Sequence, residues 1–147
     1  MSIRSATPRD IKQISLLVTS LAHFYLNNSE NNIPDWLSNT LTQKAFLTRI
    51  RSDEYVNFVY ERQEKIIAYI SIKKPNHLYH LFVSEHFQGK GIARLLWQHI
   101  LNNGQYSTFT LRSSVYAIPI YKRFGFCEIG SLDTKDGVCF QSMELKF

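Results

Sequence analysis

The alternation of apolar and polar positions changes period several times along the chain, and each change predicts an element. Ile3 to Ala6 reads as a short strand, after which Thr7, Pro8 and Asp10 occupy the N-cap, first-turn and N3 positions of a capping box. Ile11, Ile14, Leu17, Val18, Leu21, Ala22 and Tyr25 follow at the spacing of an amphipathic helix. An asparagine-rich break from Asn27 to Asn32 leads into Pro34, Asp35 and Trp36. A second helix is predicted from Thr42 to about Arg51, with Ala45, Phe46 and Ile50 inward. At Tyr55 the period becomes two: Val56, Phe58 and Tyr60, a polar turn from Glu61 to Lys65, then Ile66, Ala68, Ile70 and Ile72, which together predict an antiparallel hairpin. Pro75 and Asn76 turn the chain into a strand from His77 to Val83 that feeds the segment Gln88 to Ala93. Ile92, Leu95, Leu96 and Ile100 restore helical spacing, which Asn103-Gly104 ends. A strand from Thr108 to Arg112, a short helix from about Tyr116 to Phe124 stopped by Gly125, and two final strands complete the pattern. The order β α α β β β α β α β β implies an α/β chain with a mixed sheet and helices on its faces.

Composition narrows this further. A chain of 147 residues with 44% apolar and 14% aromatic content can bury a sizeable core as one domain spanning residues 1–147, which excludes the disordered and disulfide-framework classes. Lys and Arg number 17 against 12 Asp and Glu, and the net charge of +5 favours a polyanionic ligand. Two cysteines, Cys127 and Cys139, are too few for a metal cluster, and the absence of a secretory pattern makes the cytoplasm the expected location. The stretch from Ile14 to Ala22 is too short and too interrupted to cross a membrane, so none is expected as a partner.

The segment Gln88-Gly89-Lys90-Gly91-Ile92-Ala93 lies between a strand and a helix, where two glycines let the backbone approach a ligand and aim successive N–H groups at it. The helix dipole adds partial positive charge there, and Lys90 and Arg94 add full charges. A di- or triphosphate suits such a turn. A dinucleotide fingerprint fails because Arg94 stands where its third glycine is needed, and a Walker A loop fails because Gly91 follows Lys90.

Together with the strand before it, the run Leu81-Phe82-Val83 to Ala93 resembles the acetyl-CoA signature of the GCN5-related N-acetyltransferase (GNAT) superfamily. Tyr116-Ala117-Ile118-Pro119-Ile120-Tyr121-Lys122-Arg123-Phe124-Gly125-Phe126 looks like the same family's C-terminal helix, in the right order and at the right separation. The resemblance implies a mostly antiparallel sheet of about seven strands with helices on both faces, and acetyl-CoA as cosubstrate with no metal. It implies that the signature strand splays from its neighbour. Pantetheine would then pair with the backbone of Leu81, Phe82 and Val83, and the pyrophosphate would fall on Gln88, Gly89, Lys90, Gly91, Ile92, Ala93 and Arg94. Arg112, Ser113 and Ser114 stand where many relatives carry an asparagine contact to pantetheine, leaving Ser114 as the candidate, and Glu85 stands where many carry proline.

The implied reaction is direct attack of a primary amine on the thioester in a ternary complex. Tyr121 matches the family's tyrosine as proton donor to the departing thiolate, whose ordinary thiol pKa is about 8.5. His77 matches the position of a carboxylate base in relatives and is the candidate base, with Glu85 and Tyr79 behind it. His77 and His80 do not suggest a metal site, since an odd separation on a regular strand sends their side chains to opposite faces. Trp36, Phe24 and Tyr25 are either plain core or walls of the acceptor pocket. Glu30, Asp35, Asp133 and Asp136 lie in the flanking loops and suggest a cationic acceptor, of small-molecule or peptide type. The sequence does not fix the oligomeric state, although a homodimer is common among small enzymes of symmetric assembly. Two rival readings are a GNAT-like protein that binds acyl-CoA without turnover and an RNA-binding module. Lys122 to Ile129 only partly fits an RNP1 strand and leaves residues 88 to 93 unexplained, so no nucleic acid is expected.

Overall fold

The computed structural model describes residues 2–21 and 34–147. Ala22, Phe24, Tyr25, Glu30 and the Asn27 to Asn32 break lie outside the described residues. Strand β1 (Ser2–Ser5) runs into the capping box, where the Asp10 carboxylate accepts from the Thr7 backbone N–H at 2.8 Å and from both terminal nitrogens of Arg4 at 2.8 Å. Those bonds, Arg4 first, hold the Asp10 pKa below the ordinary carboxylate value against its burial. A 3-10 turn at Pro8–Asp10 then opens into helix α1 (Ile11–Ser20). After the single turn α2 (Asp35–Ser38), Thr42 caps α3 (Gln43–Arg51) by accepting from the Ala45 N–H at 3.1 Å. Strands β2 (Tyr55–Arg62) and β3 (Lys65–Lys73) form the expected hairpin, closed by Gln63 and Glu64 at φ 51° and 65°, the primed-turn conformation that matches strand twist. Then come β4 (His77–Val83), α4 (Ile92–Asn102), β5 (Thr108–Ser114), α5 (Ile118–Arg123), β6 (Cys127–Glu128), β7 (Asp133–Lys135) and β8 (Val138–Lys146).

The sheet order is β1-β2-β3-β4-β5-β8-β6 with β7 also on β8, and only β4 and β5 run parallel. It is the mixed, mostly antiparallel sheet expected, with eight strands because the stretch before β8 breaks at the left-handed Gly130 into two short pieces that each pair with β8. Strand β5 runs on to Ser114, whose side chain accepts from the Ala117 N–H and so starts a 3-10 turn at Val115–Ala117 ahead of α5.

Each face carries its own core. On one, α4 and α5 bury Leu96, Trp97, Phe109, Leu111 and Met143, with Trp97 packed edge-on to Phe109 at 4.8 Å and stacked over Phe124 at 6.0 Å. On the other, α1 and α3 bury Ile14, Val18, Phe46, Val59 and Tyr69, all fully enclosed. Cutting Phe46 to alanine would cost about 3–5 kcal/mol at such a site.

One irregularity positions everything that follows. Ser71 pairs with His80 but Ile72 with Leu78, so Tyr79 is an extra residue in β4, a β-bulge. Bulges raise local twist, and β4 pairs with β5 only through His77 and Leu78 opposite Thr110 and Leu111. Beyond the bulge the two parallel strands separate.

Candidate active site

The gap between the diverging strands is a cavity of about 260 Å³ walled by β4 from Tyr79 to Val83, the turn after it, the first turn of α4, β5 from Arg112 to Ser114, and the α5 region. Pairing of β4 with β5 stops at Leu78 opposite Leu111, so the two strands leave room between them for an extended ligand.

At one end stands the start of α4. Gly91 is its N-cap at φ 81°, Gly89 precedes it at φ 75°, and an added Cβ at either would point into open space. These left-handed conformations are where glycine is required. The first helical bond runs from the Leu95 N–H to the Gly91 carbonyl, no side chain caps the helix and its first turn holds no acid. The N–H groups of the first turn are therefore free to meet an anion, with the helix dipole behind them. Arg94 and Arg123 line this end and are tied together by a bond from the Arg94 guanidinium to the Arg123 carbonyl at 3.3 Å. Lys90 sits in the turn but off the cavity wall, its ammonium 5.5 Å over the Phe87 ring. Gln88 spans the cleft mouth: its amide donates to the Val83 carbonyl at 3.0 Å and its Oε1 accepts from the Tyr116 hydroxyl at 2.9 Å.

At mid-cleft Tyr121 lines the cavity from α5, with its ring edge-on to Phe124 and Phe126 and its hydroxyl in no hydrogen bond with the described residues. Burial pushes its pKa well above 10, so the phenol keeps its proton. Of the residues singled out from the sequence, the structure gathers Leu81, Phe82, Val83, Gln88, Gly89, Gly91, Ile92, Ala93, Arg94, Ser114 and Tyr121 on this cavity.

His77 is not among them. It lies where β4 and β5 still pair, and its Nδ1 is 2.8 Å from the Thr110 hydroxyl. The sequence argument that His77 and His80 face opposite ways fails for the same structural reason that opens the cleft. His77 pairs with Lys73 and His80 with Ser71, two positions on one face of β3, because the bulge absorbs Tyr79 between them. Among the described residues no group of three or more His, Cys, Asp or Glu side chains is arranged to hold a metal ion.

His80 instead lines the cavity, packed against Phe46, Tyr79 and Phe82 at 5.8, 4.4 and 5.1 Å, and its Nε2 is sealed with no hydrogen-bond partner. Burial first, and the Arg49 charge second, hold its pKa well below 6.5, so it is neutral at physiological pH. Arg49 is itself buried, lying over the Phe46 and Tyr79 rings at 4.8 and 5.2 Å. The sequence pattern missed both, because one is a charge on a buried helix face and the other depends on the bulge. Of the acids expected around the acceptor, Asp136 accepts from the Trp36 indole N–H at 2.8 Å, joining α2 to the β7–β8 turn, and among the described residues no Asp or Glu lines the cavity.

Residues 26–147 match the acetyltransferase (GNAT) domain family. No protein among those with curated function matches the sequence. The fold is similar to that of the PaiA N-acetyltransferase from Thermoplasma acidophilum in complex with coenzyme A, at 19% identity and TM-score 0.78 over 99% of this chain and 98% of that one. It is also similar to the ribosomal-protein-S18-alanine N-acetyltransferase from Escherichia coli, at 19% identity and TM-score 0.71 over 99% and 92%. The ribosomal-protein-alanine N-acetyltransferase from Brucella melitensis matches at 18% identity and TM-score 0.72 over the whole of both chains.

Proposed function

The chain belongs to the GNAT acetyltransferase family, and we propose that it moves an acetyl group from acetyl-CoA to the primary amine of an acceptor by direct attack within a ternary complex. The observation that carries this reading is the cleft itself, which runs from an acid-free helix N-terminus flanked by arginines to a buried, proton-bearing tyrosine. A phosphate-bearing thioester has a place for each of its parts there.

Acetyl-CoA supplies an acyl carbonyl at which the amine nitrogen forms a bond while the C–S bond breaks, so one proton must leave the amine and one must reach the sulfur. The Gln88 to Arg94 turn holds the phosphates through backbone N–H groups and the two arginines. The open edge of β4 from Leu81 to Val83 orients the pantetheine arm, and Ser114 faces it from β5. Tyr121 donates a hydrogen bond to the departing sulfur. Its raised pKa disfavours full loss of the proton, so its part is to stabilise the charge that builds on the sulfur, which takes its proton from solvent on release. For the amine, His80 and not His77 lies on the cavity wall, but the His80 Nε2 is sealed and burial holds its pKa well below 6.5, so the amine's proton passes to solvent in the cleft rather than to either ring. A cleft with no carboxylate among its described lining residues also disfavours an ammonium and so favours the amine in its reactive, neutral form.

Thermal denaturation with acetyl-CoA, followed by an amine screen that reads free thiol, tests the proposal. At 100 times Kd a ligand adds about 2.7 kcal/mol, or about 5–11 °C for a domain of this size. No shift overturns acetyl-CoA as the ligand, and a shift without thiol release under any amine turns the reading into binding alone.

A further inference from the structure

The β5 wall of the cleft carries a charge with no ion-pair partner among the described residues. Arg112 lines the cavity from β5 just past the last paired residue of β4, on the same sheet face as His77 and Thr110, and its guanidinium lies 3.8 Å over the Phe140 ring of β8. It makes no ion pair and no side-chain hydrogen bond with any described residue. Two described acids lie on that face of β7 and β8. Glu144 is paired with Lys146 at 3.5 Å, and Asp133, across from Phe140, reaches no cation within bonding distance. Arg94 and Arg123, the other arginines of the cleft, belong to the helix end and are tied to each other. Among the described residues Arg112 is therefore the cleft arginine on the β8 side of β5, where its partner ring Phe140 pairs with Asp133 of β7.

We propose that Arg112 anchors a carboxylate of the acceptor, so that the substrate is a small molecule bearing both an amine and a carboxylate; the inference rests on the acetyl-transfer reading above. A guanidinium already supported on an aromatic ring is pre-organised, and its free N–H fork fits the two oxygens of a carboxylate. The same charge repels a simple cationic amine, whereas an amino acid brings its own compensating anion. This reverses the cationic acceptor that the loop acids suggested, because Asp35, Asp133 and Asp136 do not line the cavity and Arg112 does.

The test compares matched acceptors: L-α-amino acids and ω-amino acids, each beside its carboxamide and its decarboxylated amine, with acetyl-CoA and thiol release as the readout. The free carboxylate form of the preferred acceptor is expected to have a kcat/KM about 10- to 100-fold above its carboxamide. Arg112→Gln is expected to erase that preference mainly through KM, since the anchor is remote from the reacting atoms. Arg112→Lys keeps the charge but not the fork and should fall between. The acetyl-CoA melting shift should survive in both variants; its absence in the wild type is failure of the acetyl-transfer reading, not of this one. Carboxamides or decarboxylated amines used as well as the acids, or an equal loss for all acceptors in Arg112→Gln, would overturn the proposal. If no member of the panel is turned over, the Arg112 Nε–Hε signal of the CoA-saturated protein is titrated with the same compounds. A shift that follows the carboxylate supports the anchor, and none overturns it.

Discussion

Replacing Tyr121 by phenylalanine removes one oxygen and nothing else. The ring is 8% exposed and packs edge-on to Phe124 and Phe126 at 6.1 and 6.0 Å, contacts that phenylalanine keeps. Because the hydroxyl has no partner among the described residues, its loss leaves none of them stranded, and stability should change by no more than about 0.5 kcal/mol, within about 2 °C in Tm. Turnover has more at stake. A hydrogen bond to a charged group contributes about 1.5–3 kcal/mol, which converts to roughly 10- to 150-fold in rate, whereas complete general acid catalysis reaches about 10⁴-fold. The raised pKa of Tyr121 opposes full proton transfer, so the lower range is expected. Single-turnover thiol release with bound acetyl-CoA measures the chemical step without product release masking it. An acyl donor with a more acidic thiol should narrow the gap between variant and wild type, because a better leaving group needs less help. Since burial moves the phenol above 10, wild-type turnover should also show no loss through pH 8 to 9.5 attributable to this group. A single-turnover loss under about threefold, with both enzymes responding alike to the leaving group, would reduce Tyr121 to packing.

Gly91→Asp should abolish the acetyl-CoA melting shift, since it puts a carboxylate where the Cβ of residue 91 points into the open cleft beside the α4 N-terminus; a retained shift would refute the cradle. The same variant should be destabilised by about 1–2 kcal/mol, because φ is 81° there, seen as a lower Tm without ligand. Asp10→Ala removes the carboxylate that holds both Arg4 and the Thr7 N–H, and should lower stability by about 2 kcal/mol in chemical denaturation. His80 gives stability a pH dependence: its folded pKa lies below the unfolded value near 6.5, so its contribution is full above about pH 6.5 and is lost as pH falls below that. The slope should be up to about 1.4 kcal/mol per pH unit in Tm-derived stability, and His80→Gln should flatten it.

Much of this molecule can be read from its residues because local signals there are strong. Thr7 and Asp10 do form their box, Thr42 caps its helix, the hairpin from Tyr55 to Lys73 keeps its period of two, and the Gly89 and Gly91 turn starts a helix. What resisted is of a different kind. Periodicity placed Phe46 inward in α3 but gave no reason to bury Arg49, whose charge is accommodated by rings from α3 and β4 and by the Thr40 carbonyl. That environment exists only once the tertiary structure has formed.

The bulge at Tyr79 carries the larger lesson about the site. Alternation along β4 assumes one residue per pair, and under that assumption His77 and His80 diverge and the candidate base is chosen by position alone. One inserted residue moves His80 onto the face of Ser71, turns its ring toward Phe46 and Tyr69, and peels the strand away from β5. The event that makes room for an acyl donor therefore also selects which histidine meets the cleft and leaves Arg112 without a neighbouring strand residue to shield it. No side chain in His77 to Val83 announces a bulge, since Leu78, Tyr79 and His80 are all compatible with a regular strand. The extra residue is fixed by pairing with β3, where Ser71 and Ile72 must keep opposite faces for their two cores. Placement of the reactive groups is thus decided by how two cores share one sheet, a constraint spread over elements far apart in the chain.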